Sequence, residues 1–379
     1  MNNGPSYFDL AIIGGGLAGL ATAIQFGRDG FRVVLFEKEF YPFHKVCGEY
    51  ISLESMEFLV DLGLPLNEWQ LPVMNTLQLS APNGNMLQEK LPLGGFGVSR
   101  YRIDTALMRI AKDNGVEVHD GTKVQEVDFS DNVFSITTDK GMTEAKVCCG
   151  AFGKRSNLDI KWKRSFIEQK HTALNNFIGV KYHVTHDHPL NMISLHNFKD
   201  GYCGIAAIED NKINICYLTT AQNLRDHGNN LQKMEQNVLF KNPHLEKIFG
   251  SAEFLNEKPL TISQISFDKK EQVNAHVLLL GDAAGLITPL CGNGMSMALQ
   301  SSRIAVKYIR QYFADIIDRN VMELLYAKEW KTSFASRLKA GRIIQGIFGK
   351  PWLTNTMISF IKPFPSITRY IIRQTHGRV

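Results

Sequence analysis

Residues 8–37, FDLAIIGGGLAGLATAIQFGRDGFRVVLFE, constrain this chain more than any other stretch of it. A short apolar run at 8–13 suits a buried parallel strand, and Gly14, Gly16 and Gly19 follow at G-x-G-x-x-G spacing. The spacing predicts a helix through Gly30 and a second, β-branched strand over 31–36 that ends at Glu37. Gly14 permits a tight turn, Gly16 lets the backbone approach a pyrophosphate, and Gly19 allows helix to pack closely on strand. The helix N-terminus offers free N–H groups and a positive dipole end to phosphates. Glu37, 23 residues after Gly14, is placed to accept hydrogen bonds from a ribose 2′-hydroxyl and would repel a 2′-phosphate. Such a unit holds NAD or FAD and disfavours NADP.

A second motif, VLLLGDAAGLITPLCGNG at 277–294, decides between them. A buried strand ends at Gly281 and Asp282, and a loop with Pro289, Gly292 and Gly294 leads into a helix beginning near Met295. An Asp there can accept from a ribityl hydroxyl, while the glycine-rich loop and helix start present N–H groups to an electron-rich ring edge. Both are what a flavin requires. No second complete G-x-G-x-x-G exists, so NAD(P)H or another reductant would have no Rossmann unit of its own.

These motifs, with VSRYRID at 98–104, resemble the single-chain FAD oxidoreductases that include para-hydroxybenzoate hydroxylase and the geranylgeranyl reductases. The resemblance covers nearly the whole chain. It implies an α/β fold: a Rossmann-like FAD-binding domain of glutathione-reductase type, an interleaved, mostly antiparallel β substrate domain, and a C-terminal helical region. It also places Arg100 at the FAD site, the backbone of Val124 against the adenine, Asp282 on ribityl or pyrophosphate oxygens, and 289–294 against the isoalloxazine. The expected cofactor-facing set is Gly14, Gly16, Ala18, Gly19, Glu37, Lys38, Lys45, Gly48, Arg100, Val124, Gly281, Asp282, Pro289, Gly292, Asn293 and Gly294.

Alternating apolar runs such as NTLQLSA, FIGVKYHV and KINICYL read as antiparallel strands. The FAD-binding domain is therefore expected at 1–74, 101–170 and 266–330, and the substrate domain at 75–100 and 171–265.

PFHKVCGEYIS, at 42–52, looks most like the geranylgeranyl reductases, in which a Pro, a Lys and a Cys-Gly pair recur and the Cys lies near the flavin. Pro42, Lys45, Cys47 and Gly48 match. The Cys47 thiol could donate a proton to carbon, a neighbouring Lys45 could favour the thiolate instead, or the residue simply shapes the pocket floor. Cys291, in the loop expected at the other flavin edge, could form a redox pair with Cys47. Two departures limit the match. CCGAFGKRS puts Phe152 where the aromatic hydroxylases carry Asp, which argues against ordinary NADPH-driven hydroxylation, and DGYCGIAAIED keeps Tyr202 but has Gly204 where the reductases have Trp. The Trp-containing signature of flavin-dependent halogenases is also absent.

Composition sets the outer bounds. With 379 residues, 44% apolar and 21% charged, the chain reads as an ordinary soluble protein of two packed domains. The N-terminus lacks a secretory pattern, which predicts a cytoplasmic protein. The six cysteines, at 47, 148, 149, 203, 216 and 291, lack paired zinc-site spacing, so no metal is expected. The net charge of +5 is uneven: residues 331–379 hold nine Lys or Arg and no acid, leaving −4 on the rest. This basic tail is also rich in large apolar residues. It reads as a C-terminal basic amphipathic helical region, either capping the body with a solvated basic face or touching an anionic membrane surface. Nucleic-acid binding is disfavoured because no recognisable module accompanies the charge. The leading expectation is an FAD-dependent reductase or desaturase acting on a C=C bond of a small apolar, isoprenoid or lipid-like substrate by hydride transfer from flavin N5. An aromatic monooxygenase using O2 and a non-catalytic flavoprotein are the alternatives.

Overall fold

The computed structural model describes residues 6–168, 175–286, 294–364, 366, 368 and 369. Two sheets organise it. The first has a parallel core of β1 (Ser6–Ile13), β2 (Val33–Phe36), β6 (Glu117–His119), β9 (Gly141–Gly150) and β17 (Val277–Leu279), in the order β17-β9-β1-β2-β6. The strand β16 (Val273–Asn274) pairs antiparallel on β17, and β7 (Val124–Ser130) and β8 (Val133–Thr138) extend β9 as an antiparallel meander. The C-terminal halves of β1 and β9 and all of β2 and β17 are buried, as strands covered on both faces must be. Helices α1 (Leu17–Arg28), α3 (Arg100–Asp113) and α9 (Gly294–Phe313) cover the sheet with the long α10 (Arg319–Ile347). The smaller α2 (Met56–Asp61), α4 (Asn157–Lys161) and α5 (Ser165–Glu168) fill its margins. Crossing is close because small residues meet: Thr22 Oγ1 donates to Ser302 Oγ at 2.9 Å between α1 and α9.

The second sheet runs β14 (Glu253–Phe254), β10 (Phe177–Thr185), β13 (Ile213–Thr220), β12 (Gly201–Ala207), β11 (Met192–Phe198), β4 (Val73–Ser80), β5 (Met86–Gly97) and β3 (Tyr50–Ser52), with β15 (Leu260–Ile265) also on β10. It is antiparallel at every junction but one, because β4 pairs parallel with β11. Those strands are separated by the whole length from 81 to 191, so no hairpin dictates their sense, and the inserted chain supplies the crossover a parallel pair needs. Strand β3 shows how closely the sheets interlock: it belongs to the expected FAD segment in sequence but pairs with β5.

The structure departs from the expected pattern in two places. The strand-rich reading of 175–265 misses α6 (Ala221–Asp226), α7 (Leu231–Val238) and α8 (Pro243–Ser251), which pack over β10, β12 and β13. In addition, α10 runs without a break across 330/331, where a boundary is expected, and the basic region continues into α11 (Pro351–Ile361).

Asn242 anchors the missed helices. From the N-cap of α8 its buried amide donates to Ser80 Oγ, Ala81 O and Asn197 O, and its oxygen accepts from His244 N. Losing an N-cap costs about 1 kcal/mol, and leaving buried carbonyls unpaired adds about 1–3 kcal/mol. Asn242→Ala is expected to lower the unfolding free energy by roughly 2–4 kcal/mol, read as a lower urea midpoint at unchanged slope.

Candidate functional site

At the end of β1 the glycine turn is enforced by close contacts. Gly14 has φ +108°, and a Cβ there would lie 2.4 Å from Ala151 O. A Cβ on Gly19 would lie 2.1 Å from Gly14 O, so α1 can approach β1 only without one. Gly16 is the N-cap of α1 and supplies no side-chain cap, which leaves the helix amides open to an anion. Two cations stand beside it: a Cβ on Gly16 would be 3.4 Å from Arg100 Nη2 and 3.8 Å from Lys45 Nζ. Arg100 grips Asp104 in bidentate fashion at 2.8 and 2.7 Å, and Lys45 reaches the same carboxylate at 3.0 Å and Glu37 at 3.8 Å. Burial alone would raise the Asp104 carboxyl, but Arg100 and Lys45 hold it below the usual range. Glu37, at the end of β2, accepts from Gly15 N at 3.0 Å and Glu39 N at 3.1 Å and retains acceptor capacity. Lys38 is exposed and pairs with Glu39, away from the turn. Val124, at the start of β7, is buried and its carbonyl accepts from Asn157 Nδ2 at 3.1 Å.

The second motif lies across the same cleft. Gly281, at φ +57°, donates its N–H to Ser301 Oγ at 2.8 Å, and its α-carbon faces Ala18 and Ala298 so closely that added Cβ atoms would be in contact. Three side chains capture the carbonyls of this turn. Lys270 donates to Asp282 O at 2.9 Å, Arg164 to Ala283 O at 3.0 Å, and Gln272 to Ala284 O at 3.1 Å. Lys270 also donates to Lys154 O at 2.8 Å, which joins the turn to the segment after β9. Arg164 is completely buried on Asp159. Sequence reasoning missed this trio because it lies before and between the motifs in segments without a motif of their own. Gly294 opens α9 and lines the cleft, whereas Pro289, Cys291, Gly292 and Asn293 lie outside the described residues.

Between these two ends the cleft, about 1320 Å³ of empty space with its open mouth included, runs to Cys47 and the face of the second sheet. Its far wall carries Ile193, Leu195, Gly204, Cys216, Leu218 and Phe267. Cys47 and Gly48 line it as well; the Cys47 sulfur accepts from Glu49 N at 3.5 Å, and its carbonyl accepts from Asn214 at 3.2 Å. Lys45 does not serve Cys47: its ammonium points to Asp104 and Glu37, because a cation finds better-paired carboxylates there. Arg100 lies within electrostatic reach of the thiol. Cys216, the partner of Lys181 across β10 and β13, sits on the wall near Cys47, and burial pushes its thiol up to about 12. Phe152 fills the position of the missing Asp by packing its ring on Gly150 and Trp162. The Tyr50 hydroxyl, another residue on the cleft, is buried and meets no hydrogen-bond partner among the described residues.

Beneath Cys47, Glu49 is fully buried at φ +53°. Its carboxylate accepts from Arg100 N at 2.8 Å, from Lys181 Nζ and from His183 Nε2 at 2.6 Å. Burial would raise it, yet the His183 hydrogen bond and the Lys181 charge hold it lower. Glu209 grips the same helix start through Ser99 N at 2.8 Å and the Ser99 hydroxyl. Two carboxylates therefore position Arg100 at the N-terminus of α3.

The residues present suit a long group with a phosphate near Gly16 and a polyol chain near the 281–284 turn. Among the described residues no cluster of His, Cys, Asp or Glu could hold a metal ion. Burial lowers Lys270 to about 8. A neutral amine still has two N–H bonds for its two carbonyls, so the turn keeps its anchor above that pH. Between pH 8 and the unfolded value of 10.5 the unfolded chain binds the extra proton, so stability rises with pH across that window. Lys270→Met is expected to lower the bound flavin per protein after purification, read from visible absorbance, and its melting-temperature deficit against wild type should widen from pH 7.5 to 10.

The family model for an FAD binding domain matches residues 7–311. The chain is 24% identical over 335 residues to conditioned medium factor receptor 1 of Dictyostelium discoideum, with 81% of this chain and 64% of that protein covered, so it spans less than two thirds of that relative. It is 23% identical to a menaquinone reductase of Mycobacterium tuberculosis over 88% of this chain and 81% of the other. Its fold is similar to a geranylgeranyl bacteriochlorophyll reductase-like protein of Thermoplasma acidophilum, with a TM-score of 0.81, 16% identity, and coverage of 98% and 96%. It is similar in equal measure to the flavin-dependent brominase Bmp2, with a TM-score of 0.79, 18% identity, and coverage of 98% and 93%. With a family model matched over most of its length, the chain belongs to the FAD binding domain family.

Proposed function

We propose that the protein reduces a C=C bond of an apolar, isoprenoid or lipid-like substrate. The observation that carries this reading is Cys47, a thiol on a cleft whose far wall is built from Ile193, Leu195, Leu218 and Phe267. Bound FAD would supply the hydride that adds to one alkene carbon. Cys47 would deliver its proton to the other carbon, and solvent would restore it. NAD(P)H or another two-electron donor would reduce the flavin between turnovers. Gly16, Arg100 and Lys45 would hold the pyrophosphate, Glu37 the ribose, and Asp282 the ribityl chain, while Lys270, Arg164 and Gln272 keep the 281–284 turn in place. The sheet face excludes water, which favours hydride transfer over its loss to solvent. The substitution at Phe152 supports this reading over hydroxylation, since no carboxylate stands where the hydroxylases use one. The halogenase and reductase folds lie equally close, so likeness of fold does not choose between them.

The flavin-loaded protein, reduced with dithionite without oxygen and given a geranylgeranyl lipid, is expected to add two hydrogens per double bond, read by mass spectrometry. Cys47→Ala should lower the rate by about 10²-fold with little change in substrate affinity. Oxygen insertion into a phenolic compound in air, with no anaerobic reduction of the lipid, would overturn the proposal in favour of a monooxygenase.

A further inference from the structure

The last described helix has two faces of different character. Inward, Thr354, Ile358 and Ile361 of α11 are buried, and the two isoleucines join the apolar cluster of Leu195, Leu218, Phe267 and Leu286. Those four residues also line the cleft. Asn355 and Ser359, on one flank, hydrogen-bond the turn between β4 and β5 through Asn83 and Asn85. Outward, Trp352, Thr356 and Phe360 follow one another at intervals of four residues along one stripe of α11, and Phe364 lies just past its end. Trp352 is 69% exposed, Phe360 64% and Phe364 48%, and the rings of Phe360 and Phe364 lie 5.9 Å apart. Ile343, near the end of α10, is 57% exposed.

Cations accompany this apolar stripe. Lys339, Lys350 and Lys362 are exposed, and no Asp or Glu occurs anywhere from 331 to 379. Asp200 touches the turn before α11 only through its backbone N–H on Gly349 O, at 2.8 Å. A tryptophan and two phenylalanines flanked by lysines match the boundary of a bilayer, where rings sit at headgroup depth and cations meet anionic lipid. No helix among the described residues is long and apolar enough to cross a membrane, so the contact is with its surface.

We propose that the outer face of α11 docks the protein on an anionic lipid bilayer. The same helix packs behind the apolar wall of the cleft, through Ile358 and Ile361, so docking sets the substrate cavity close to the lipid phase. This rests on the apolar-substrate reading only for what enters the cleft; docking itself is measured without turnover.

The test is co-sedimentation of the full, flavin-loaded chain with vesicles of phosphatidylglycerol and phosphatidylcholine, and with phosphatidylcholine alone. Wild type is expected to pellet with the anionic vesicles and to show a blue shift in tryptophan emission that Trp352→Phe removes. Trp352→Ala/Phe360→Ala/Phe364→Ala should lower the bound fraction by about tenfold at unchanged flavin content and melting temperature, because these side chains face solvent. Lys350→Glu/Lys362→Glu should abolish the preference for anionic vesicles. Failure of wild type to pellet, or equal pelleting of the triple variant, would overturn the proposal. So would size exclusion showing that wild type is a dimer and the triple variant a monomer, which would assign the face to a second copy of the chain. A protein that docks but does not reduce an alkene would sink the reductase reading alone.

Discussion

One buried carboxylate ties the functional parts together. Glu49 sits at a left-handed backbone position between the Cys47 loop and β3. Its own N–H reaches the Cys47 sulfur, while its oxygens hold Arg100 N on one side and Lys181 and His183 on the other. Arg100, the cleft thiol and the second sheet thus share one anchor. A charge with no exposure is tolerable only when its partners satisfy it, and removing one partner of such a pair leaves an unpaired buried charge. The loop geometry around Cys47 therefore depends on the two sheets being docked.

The cofactor end follows the same logic with opposite signs. Around the 281–284 turn the exposed polarity is that of carbonyl oxygens, and a lysine, an arginine and a glutamine neutralise it from beneath. At the glycine turn of β1 the open polarity is that of helix amides, and the balance of Arg100 and Lys45 against Asp104 and Glu37 leaves it suited to an anion. Each end of the cleft is prepared by buried charges that touch backbone as well as one another. Preorganised dipoles of this kind stabilise charge without having to reorient.

Much of this was legible in the residues. The strand, glycine turn, helix and acid at 8–37 encode local geometry, and G-x-G-x-x-G spacing means the same thing in any chain that folds this way; α1 and β2 end within two residues of expectation. Arg100 was marked by the resemblance carried by VSRYRID, and in the structure it pairs with Asp104, since residues four apart on a helix meet. Glu49, Lys181, His183, Arg164 and Lys270 carried no signal, because their partners lie as far as 136 residues away. The helices between 221 and 251 were hidden by short lengths and by apolar residues that also suit strands.

The sequence by itself determined that a dinucleotide-type strand–turn–helix would form, because that follows from glycine sterics and local hydrogen bonding, and its second motif at 277–294 pointed to a flavin rather than NAD. Tertiary structure alone decided that Lys45 turns toward Asp104 rather than Cys47, that β4 runs parallel to β11, and that α11 packs behind the apolar wall while leaving Trp352, Phe360 and Phe364 exposed. Those outcomes depend on which distant surfaces meet. Charge pairing and apolar burial select among arrangements that local propensity leaves equally open.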